Sequence, residues 1–263
     1  MHILKGYTKQ EISWMMYDWA NSAHSVIIVT LLPIFFDTVA GYTADSVSSM
    51  STWGYATSIA MLIVALAAPF LGVFGDIRGM RKKLFSFFML LGVAACAGMA
   101  FTPGMDFTSG PVAAGKVASL ILVLYIVSVI GFDASAIYYD AFLTDVTTED
   151  RMDKVSTMGY GLGYIGGSTI PLLIFLIMNL VGVPMLTCLA FVFGLTAVWW
   201  LAFSLPLLKN CEQTSGKPYE KGDVARSIKG VGTTIKEIIA NKPMLIYILS
   251  YFFYIDGVHT VIS

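Results

Sequence analysis

Charged residues are scarce in this sequence: Asp, Glu, Lys and Arg make up 13% of it, whereas soluble domains carry about 25%. Hydrophobic residues make up 57%, and the mean hydropathy is positive. This balance excludes an ordinary soluble domain. The net charge of −1 offers no overall electrostatic attraction to nucleic acid, so we expect no nucleic-acid partner.

Cysteine and histidine are also rare, with three of each. The cysteines are scattered along the chain, so they supply neither a disulfide framework nor a metal cluster. A phosphate-binding loop of the G-x-x-x-x-G-K-[ST] type is absent from the sequence, which argues against ATP as an energy source. We therefore expect no metal site and no cofactor.

What the sequence does contain is a series of long apolar runs. A helix needs about 20 residues to cross a bilayer core of about 30 Å, and seven runs are long enough. Because exposed backbone polar groups cannot be satisfied in lipid, helices are the expected spanning element. The predicted spans are 14–38, 51–74, 84–102, 117–143, 155–180, 185–207 and 244–263.

Basic residues are distributed unevenly between the connections of these runs. Of the 16 Lys and Arg residues, all but Lys116 lie in the N-terminal segment or after the second, fourth and sixth runs. The positive-inside rule then places the N-terminus in the cytoplasm. We predict an integral, multi-pass membrane protein in this orientation.

The longest connection, 208–242, is polar and contains a candidate amphipathic stretch. It either joins two six-helix halves or is an ordinary solvated loop. A short repeat favours two halves, because 21–27 (NSAHSVI) and 256–262 (DGVHTVI) align without a gap, although chance similarity between apolar helices is the alternative. The predicted domains are then a bundle at 1–207, the linker, and a seventh helix at 243–263.

Two acids, Asp133 and Asp256, lie within apolar runs that contain no Lys or Arg. A carboxylate at hydrocarbon depth is costly, and such residues mark ion or substrate routes. We interpret both as candidate proton carriers or as anchors for a substrate ammonium group. His259 follows Asp256 on the same helix face and could relay protons. Equally, His24 and His259 could donate hydrogen bonds between helices.

A polar stripe follows one face of the first predicted helix. Its members Asp18, Asn21, Ser22 and Ser25 are spaced at i, i+3, i+4 and i+7, so we expect the stripe to face the protein interior. Asp18 also lies near the inner end of the run. It could therefore be an interfacial acid that reaches water among belt aromatics.

The fifth predicted helix carries Gly159, Gly163 and Gly167 at G-x-x-x-G spacing. Small residues at this spacing allow helices to approach closely, and tight packing is the simpler interpretation. Flexing of the helix during a transport cycle is compatible with it.

The loop between the second and third runs has the sequence GVFGDIRGMRKK, from position 72 to position 83. Glycines permit a tight turn, and the bases can reach acids at the inner helix ends, so we predict that Arg81 pairs with Asp140 or Asp145. A stop-transfer cluster would explain the charges but not the Gly/Asp spacing. The residues of this pattern are Gly72, Gly75, Asp76, Gly79, Arg81 and Lys82.

This pattern resembles the signature loop of the major facilitator superfamily, except that Met80 stands where the superfamily usually has a base. Four further segments are similar to its vacuolar amino-acid effluxer branch and the bacterial relatives of that branch. They are 17–23 (YDWANSA), 139–143 (YDAFL), 159–167 (GYGLGYIGG) and 254–257 (YIDG). The resemblance covers essentially the whole chain.

The resemblance implies an all-α polytopic fold, in which a major-facilitator-type six-helix N-terminal bundle is followed by a cytoplasmic linker and a seventh helix. That helix would begin a missing C-terminal six-helix half. The membrane would be the plasma (inner) membrane of a bacterium or the vacuolar membrane of a fungus. The first, fourth and seventh helices would line a central cavity that holds Asn21, His24, Asp133, Asp256 and His259.

The leading functional hypothesis is a secondary transporter that moves a small solute by alternating access, coupled to protons. Amino acids are the candidate substrates, and the expected partners are the solute, the lipid bilayer and the missing half. A membrane-embedded scaffold is the main alternative. An intramembrane aspartyl enzyme is less favoured, because the only motif that could pair with Asp140 places Asp76 in a basic inner loop. We expect no catalytic residues.

Overall fold

The computed structural model of the protein describes residues 5–43, 46–218 and 223–262. The predicted all-α fold is confirmed, and six helical segments of the described chain are long and apolar enough to cross a membrane. They correspond to the first six predicted spans. In chain order the helices are α1 (Lys9–Ala40), α2 (Ser46–Gly75), α3 (Arg81–Met99), α4 (Pro111–Val146), α5 (Met152–Leu162), α6 (Thr169–Leu180), α7 (Met185–Asn210), α8 (Asp223–Ala240) and α9 (Lys242–Ile262).

Helix α1 begins at Lys9, before its apolar run, because polar contacts stabilise its first turn. The Thr8 hydroxyl accepts a hydrogen bond from the Glu11 amide at 3.1 Å, and the Glu11 carboxylate accepts one from the Thr8 amide at 2.7 Å. Arg151 binds the same carboxylate through Nε and Nη2 at 2.8 and 2.9 Å. Thr147 donates a further hydrogen bond at 2.7 Å. These contacts tie the start of α1 to the connection after α4.

The fifth predicted span is not one regular helix. A π-helical turn, Gly163–Ser168, separates α5 from α6. The Thr169 hydroxyl donates to the Tyr164 carbonyl five residues earlier, at 2.9 Å, and so satisfies one of the backbone groups of the wide turn. Turns of this type are rare, and they are frequent at functional sites.

Helices α3, α4 and α7 meet in a close contact within the bundle core. A Cβ atom added to Gly131 of α4 would lie 2.5 Å from the backbone nitrogen of Gly92 in α3. On its other side Gly92 contacts the ring of Trp200 from α7, which is fully buried. The indole of Trp200 donates to the Tyr17 hydroxyl at 3.4 Å and so connects this contact to α1.

The spans differ sharply in how much protein covers them. In the most apolar part of α1, 56% of the residues are buried, whereas the figure for α2 is 11%. Helix α8 lies beside α2, and α9 follows α8 after one connecting residue. The described part of α9 exposes large apolar side chains, including Ile246, Tyr247, Phe252 and Phe253. Helices α2 and α9 therefore leave wide apolar faces for lipid or for further protein. The predicted domain division at 208–242 stays a prediction.

Replacing Gly131 with Ala should destabilise the bundle, because the new methyl group would force α3 and α4 apart. We expect the free energy of unfolding to fall by roughly 1–3 kcal/mol, as in other overpacked sites. Unfolding in detergent measures this change. Gly54→Ala in α2 is the matched control, since no atom lies within 4 Å of a Cβ there. Equal destabilisation of the two variants would contradict the close contact.

Candidate functional site

The polar stripe of α1 packs against the glycines of α5 and the π turn. A Cβ atom at Gly159 would lie 2.5 Å from Asp18 Oδ2, and one at Gly163 would lie 2.5 Å from Ser22 Oγ. The structure thus brings two separate sequence patterns into one contact. The glycines allow the close approach expected of them, and the space that they leave is filled by polar side chains of α1.

Trp19 was not among the predicted site residues, yet it completes this contact. Its ring lies directly against Gly166, and its backbone carbonyl lies against Gly167. Trp199 of α7 donates through Nε1 to the same carbonyl at 2.9 Å, and the two indoles stack with centroids 6.2 Å apart. The adjacent glycines at 166 and 167 were the only sequence signal for a bulky side chain seated there.

Asp18 is partly buried between helices, which favours the inward-facing interpretation of the stripe over an interfacial acid. The Tyr139 hydroxyl of α4 donates to Asp18 Oδ2 at 2.8 Å. Trp14 holds Tyr139 in place, since their rings stack at 4.3 Å and Trp14 Nε1 donates to the Tyr139 carbonyl at 2.9 Å. Sequence reasoning treated Tyr139 only as a neighbour of Asp140 and missed this role.

The acids of α4 lie at different depths and exposures. Asp133 is partly buried near the middle of the helix, and Asp140 is exposed two turns nearer the C-terminal end of α4. Asp140 and Asp18 are close enough for their charges to interact. Asp133 interacts electrostatically with Tyr125, which lies about two turns earlier on the same helix. Asp133 and Asp140 are two turns apart on α4, and Asp140 is near Asp18 of α1; we call these three acids, with the partly buried Asn21 of α1, the acidic surface.

His24 is placed as a helix-bridging residue. It is 3% exposed, and its Nε2 lies 3.3 Å from the Ser128 hydroxyl of α4. Its ring stacks on Phe132 at 4.7 Å and lies 5.2 Å from the ring of Trp200. Nδ1 has no hydrogen-bond partner within the described part of the chain. The geometry favours the interhelical hydrogen bond over a proton relay for this residue.

Asp256 and His259 lie on α9, but their side chains fall outside the described residues. Their predicted convergence with Asp133 on one cavity therefore stays a prediction. Among the residues that the structure does describe, no group of three or more His, Cys, Asp or Glu side chains could hold a metal ion.

Arg81 forms an ion pair with Asp145, one of its two predicted partners. Its Nη1 contacts Asp145 Oδ2 and donates to the Ala141 carbonyl at 2.9 Å. Both side chains are buried, at 5% and 0% exposure. The pairing predicted for Asp140 is wrong, since that exposed acid forms no ion pair with any described residue. Asp145 lies more than one helical turn beyond Asp140 on α4, where it is next to Arg81.

The structural reason for a glycine differs from one position of this loop to the next. Gly79 has a φ of +79°, which favours glycine. Gly75 is buried, and a Cβ there would lie 3.0 Å from the Tyr138 ring. Gly72 meets no such neighbour. Asp76 Oδ1 lies 3.9 Å from Arg81 Nη2 and is largely exposed, so this second ion pair is weaker than the first. Lys82 lies in the first turn of α3.

The segment 211–218, which we call the strap, follows α7 and binds beneath this loop. Asp145 Oδ1 accepts four hydrogen bonds from it. The backbone amides of Thr214 and Ser215 donate at 3.0 and 2.9 Å, and their hydroxyls donate at 2.9 and 2.8 Å. One carboxylate therefore joins the α2–α3 loop, the end of α4 and the start of the linker.

Backbone contacts extend the strap along the loop. Gln213 Oε1 accepts from the Gly79 amide at 2.8 Å, and its Nε2 donates to the Gly75 carbonyl at 2.9 Å. The Lys217 amide donates to the Asp76 carbonyl at 3.1 Å. No sequence motif pointed to the strap, because its residues belong to a polar linker without periodicity.

Comparisons with known proteins agree with this architecture. The model of the family described as "vacuole effluxer Atg22 like" matches residues 42–151 and 143–263. The chain belongs to this family. An uncharacterized MFS-type transporter of Bacillus subtilis, YxiO, is 39% identical over 99% of the chain. Autophagy-related protein 22-1 of Sclerotinia sclerotiorum and that of Penicillium rubens are each 27% identical over 41% of the chain.

The resemblance drawn from the sequence is thereby confirmed, and this Atg22-like protein is an integral, multi-pass membrane protein. The chain spans 60% of the length of the Bacillus relative. It spans 21% and 20% of the two fungal relatives.

Replacing Asp145 with Asn should destabilise the end of this Atg22-like bundle that carries the α2–α3 loop, because Arg81 would keep a buried charge without its carboxylate partner. Removing one member of a buried pair typically costs about 3–5 kcal/mol. Denaturant unfolding in detergent measures the loss. Asp140→Asn, on the same helix but exposed, should change the free energy of unfolding by less than about 0.5 kcal/mol. Similar losses in both variants would contradict the assigned pair.

The Cys211 thiol should react slowly with iodoacetamide. Desolvation raises the pKa of this thiol from 9.0 to about 12, and Sγ donates to the Gln10 carbonyl at 3.6 Å. Because the thiolate is the reactive form, the labelling rate should keep rising tenfold per pH unit from about pH 8 to about pH 10. Cys96→Ala and Cys188→Ala remove the other thiols. Release of the strap by Asp145→Asn should accelerate labelling, whereas a rate that levels off near pH 9 would contradict the burial.

Proposed function

We propose that this Atg22-like chain supplies the N-terminal half of a secondary transporter, which moves a small solute by alternating access. The observation that carries the proposal is the acidic surface of α1 and α4, where Asp18, Asp133 and Asp140 lie on membrane-spanning helices. Acids at such depth are costly to a membrane protein and are typical of ion and substrate pathways. The name of the Bacillus relative, an MFS-type transporter, supports the same class.

Asp133 is the proposed centre of the pathway. It is partly buried near the middle of α4, and its apolar run contains no Lys or Arg. A carboxyl group in such surroundings can gain and lose a proton as the cavity opens to either side, because hydration favours its charged form. Asp18 and Asp140 lie nearer the inner end, where they would accept the proton or substrate before its release.

The proposed substrate is a small solute with an ammonium group, and amino acids are the leading class. Carboxylates in an apolar run that contains no Lys or Arg would attract such a group. The Asn21 amide beside these acids can both donate and accept hydrogen bonds. The family description as a vacuole effluxer supports export from a compartment as the direction. We propose protons as the coupled ion.

The second half of the transporter is also a proposal. The chain spans 60% of the length of the Bacillus relative, and α2 and α9 leave broad apolar faces that a second bundle would cover. In this arrangement α9 belongs to that bundle, and Asp256 and His259 would face the same cavity as Asp133. The acidic surface then lies between two halves that rock against each other.

Replacing Asp133 with Asn in the full-length protein should abolish proton-coupled uptake, because Asn cannot take up or release a proton. The assay is uptake of a panel of amino acids into vesicles with an imposed pH gradient. We expect at least about a hundredfold loss of the gradient-driven rate, as for a lost acid–base group. Asp106→Asn is the control, since Asp106 lies in the exposed loop before α4.

Unchanged, pH-dependent uptake in Asp133→Asn would remove Asp133 from the pathway. Absence of uptake of every panel member by a folded wild-type protein would instead favour a scaffold role. Measurement of uptake and folding on the same vesicles separates these outcomes.

A further inference from the structure

A cavity of about 340 Å³ opens at the inner end of α3, outside the acidic surface. It is lined by Gly79, Lys82, Lys83 and Ser86 from the loop and the first turns of α3, and by Glu212 and Gln213 from the strap. The contacts that hold the loop to α4 use Arg81 and leave both lysines out.

The charges in this cavity are suited to an anion. Lys82 and Lys83 bring two ammonium groups, and neither forms an ion pair with an acid in the described part of the chain. Glu212, an exposed residue of the lining, lowers the positive charge without removing it. The Ser86 hydroxyl donates to the Lys82 carbonyl at 2.7 Å. The two ammonium groups are therefore the main donors for a ligand.

The surface beside the cavity is apolar and lies at membrane depth. Phe87 and Leu90 follow Lys83 at i+4 and i+7, and they are 59% and 49% exposed. The same face of α3 thus changes from cationic to apolar within two turns of a spanning helix. A free phosphate ion would contact only the cationic part of this face. A phospholipid would contact both parts, with its phosphate at the lysines and an acyl chain along Phe87 and Leu90.

We propose that this cavity binds the phosphate group of an anionic phospholipid from the leaflet on the basic side of the membrane. Basic pockets between spanning helices are suited to such head groups. The bound head group contacts α3 and the strap at once, because Gln213 lines the cavity and also holds Gly75 and Gly79. Lipid therefore stabilises the docked strap. The proposal does not depend on the transport function, and binding tests it without any flux.

The test measures binding of fluorescent phosphatidylglycerol to the full-length protein in phosphatidylcholine nanodiscs. The double variant Lys82→Ala/Lys83→Ala should lose roughly 10- to 30-fold in affinity, from two lost lysine–phosphate contacts. The matched control, Lys5→Ala/Lys9→Ala, removes the same charge from the same side of the membrane but outside the cavity, and it should bind like wild type. Glu212→Gln should raise the affinity, because it removes the opposing carboxylate.

Equal losses in the two double variants would overturn the proposal, since general attraction to the charged surface would then explain binding. An unchanged affinity in Glu212→Gln would overturn the placement of the head group in this cavity. Lysine-dependent binding of inorganic phosphate, with no binding of phosphatidylglycerol, would overturn the lipid as the source. Thermal unfolding checks that the variants are folded. If the double variant does not fold, Lys83→Gln alone carries the same test, with an expected loss of about fivefold.

Discussion

Close backbone contact between helices is the constraint on which this bundle depends. Lipid tails are as apolar as leucine side chains, so burial of apolar surface gives spanning helices little reason to associate. Here the helices approach through glycines, at Gly92 and Gly131 between α3 and α4, and at Gly159 of α5 and Gly163 of the π turn against α1. The second of these contacts also explains why acids can lie on α1, because the glycines leave room for Asp18 and Ser22.

The end of the bundle that carries the α2–α3 loop depends on a different interaction, the burial of charge with complete hydrogen bonding. Asp145 receives Arg81 and four donors from the strap, and Glu11 receives Arg151, Thr147 and the Thr8 amide. Buried ion pairs seldom add net stability, but they penalise every arrangement that separates the partners. The two carboxylates thus fix which loops meet at this end, while the glycine contacts fix how closely the helices pack.

Most of the fold could be predicted from the sequence. The length of each hydrophobic run indicates a membrane span, and the distribution of Lys and Arg indicates on which side of the membrane each loop lies. The G-x-x-x-G series predicted a close contact, and loop spacing limited the partner of Arg81 to two acids. What the sequence could not give were contacts between segments that have no pattern of their own. In the sequence the strap residues Gln213, Thr214 and Ser215 are ordinary polar residues. Their role follows only from the position of Asp145 beside them in the fold. Likewise, the hydrogen bond of Tyr139 to Asp18 depends on the rotation of α4 about its axis, which composition does not fix.

The π turn between α5 and α6 changes the direction in which the helix face points. Such a turn accommodates one residue more than a regular helical turn, so the helix face is rotated by about 100° from one side of it to the other. The glycine face of α5 can therefore stay pressed against α1, while α6 presents Leu173, Leu176 and Ile177 outward. One span therefore presents differently directed faces before and after the turn, which a regular helix of the same length would not do.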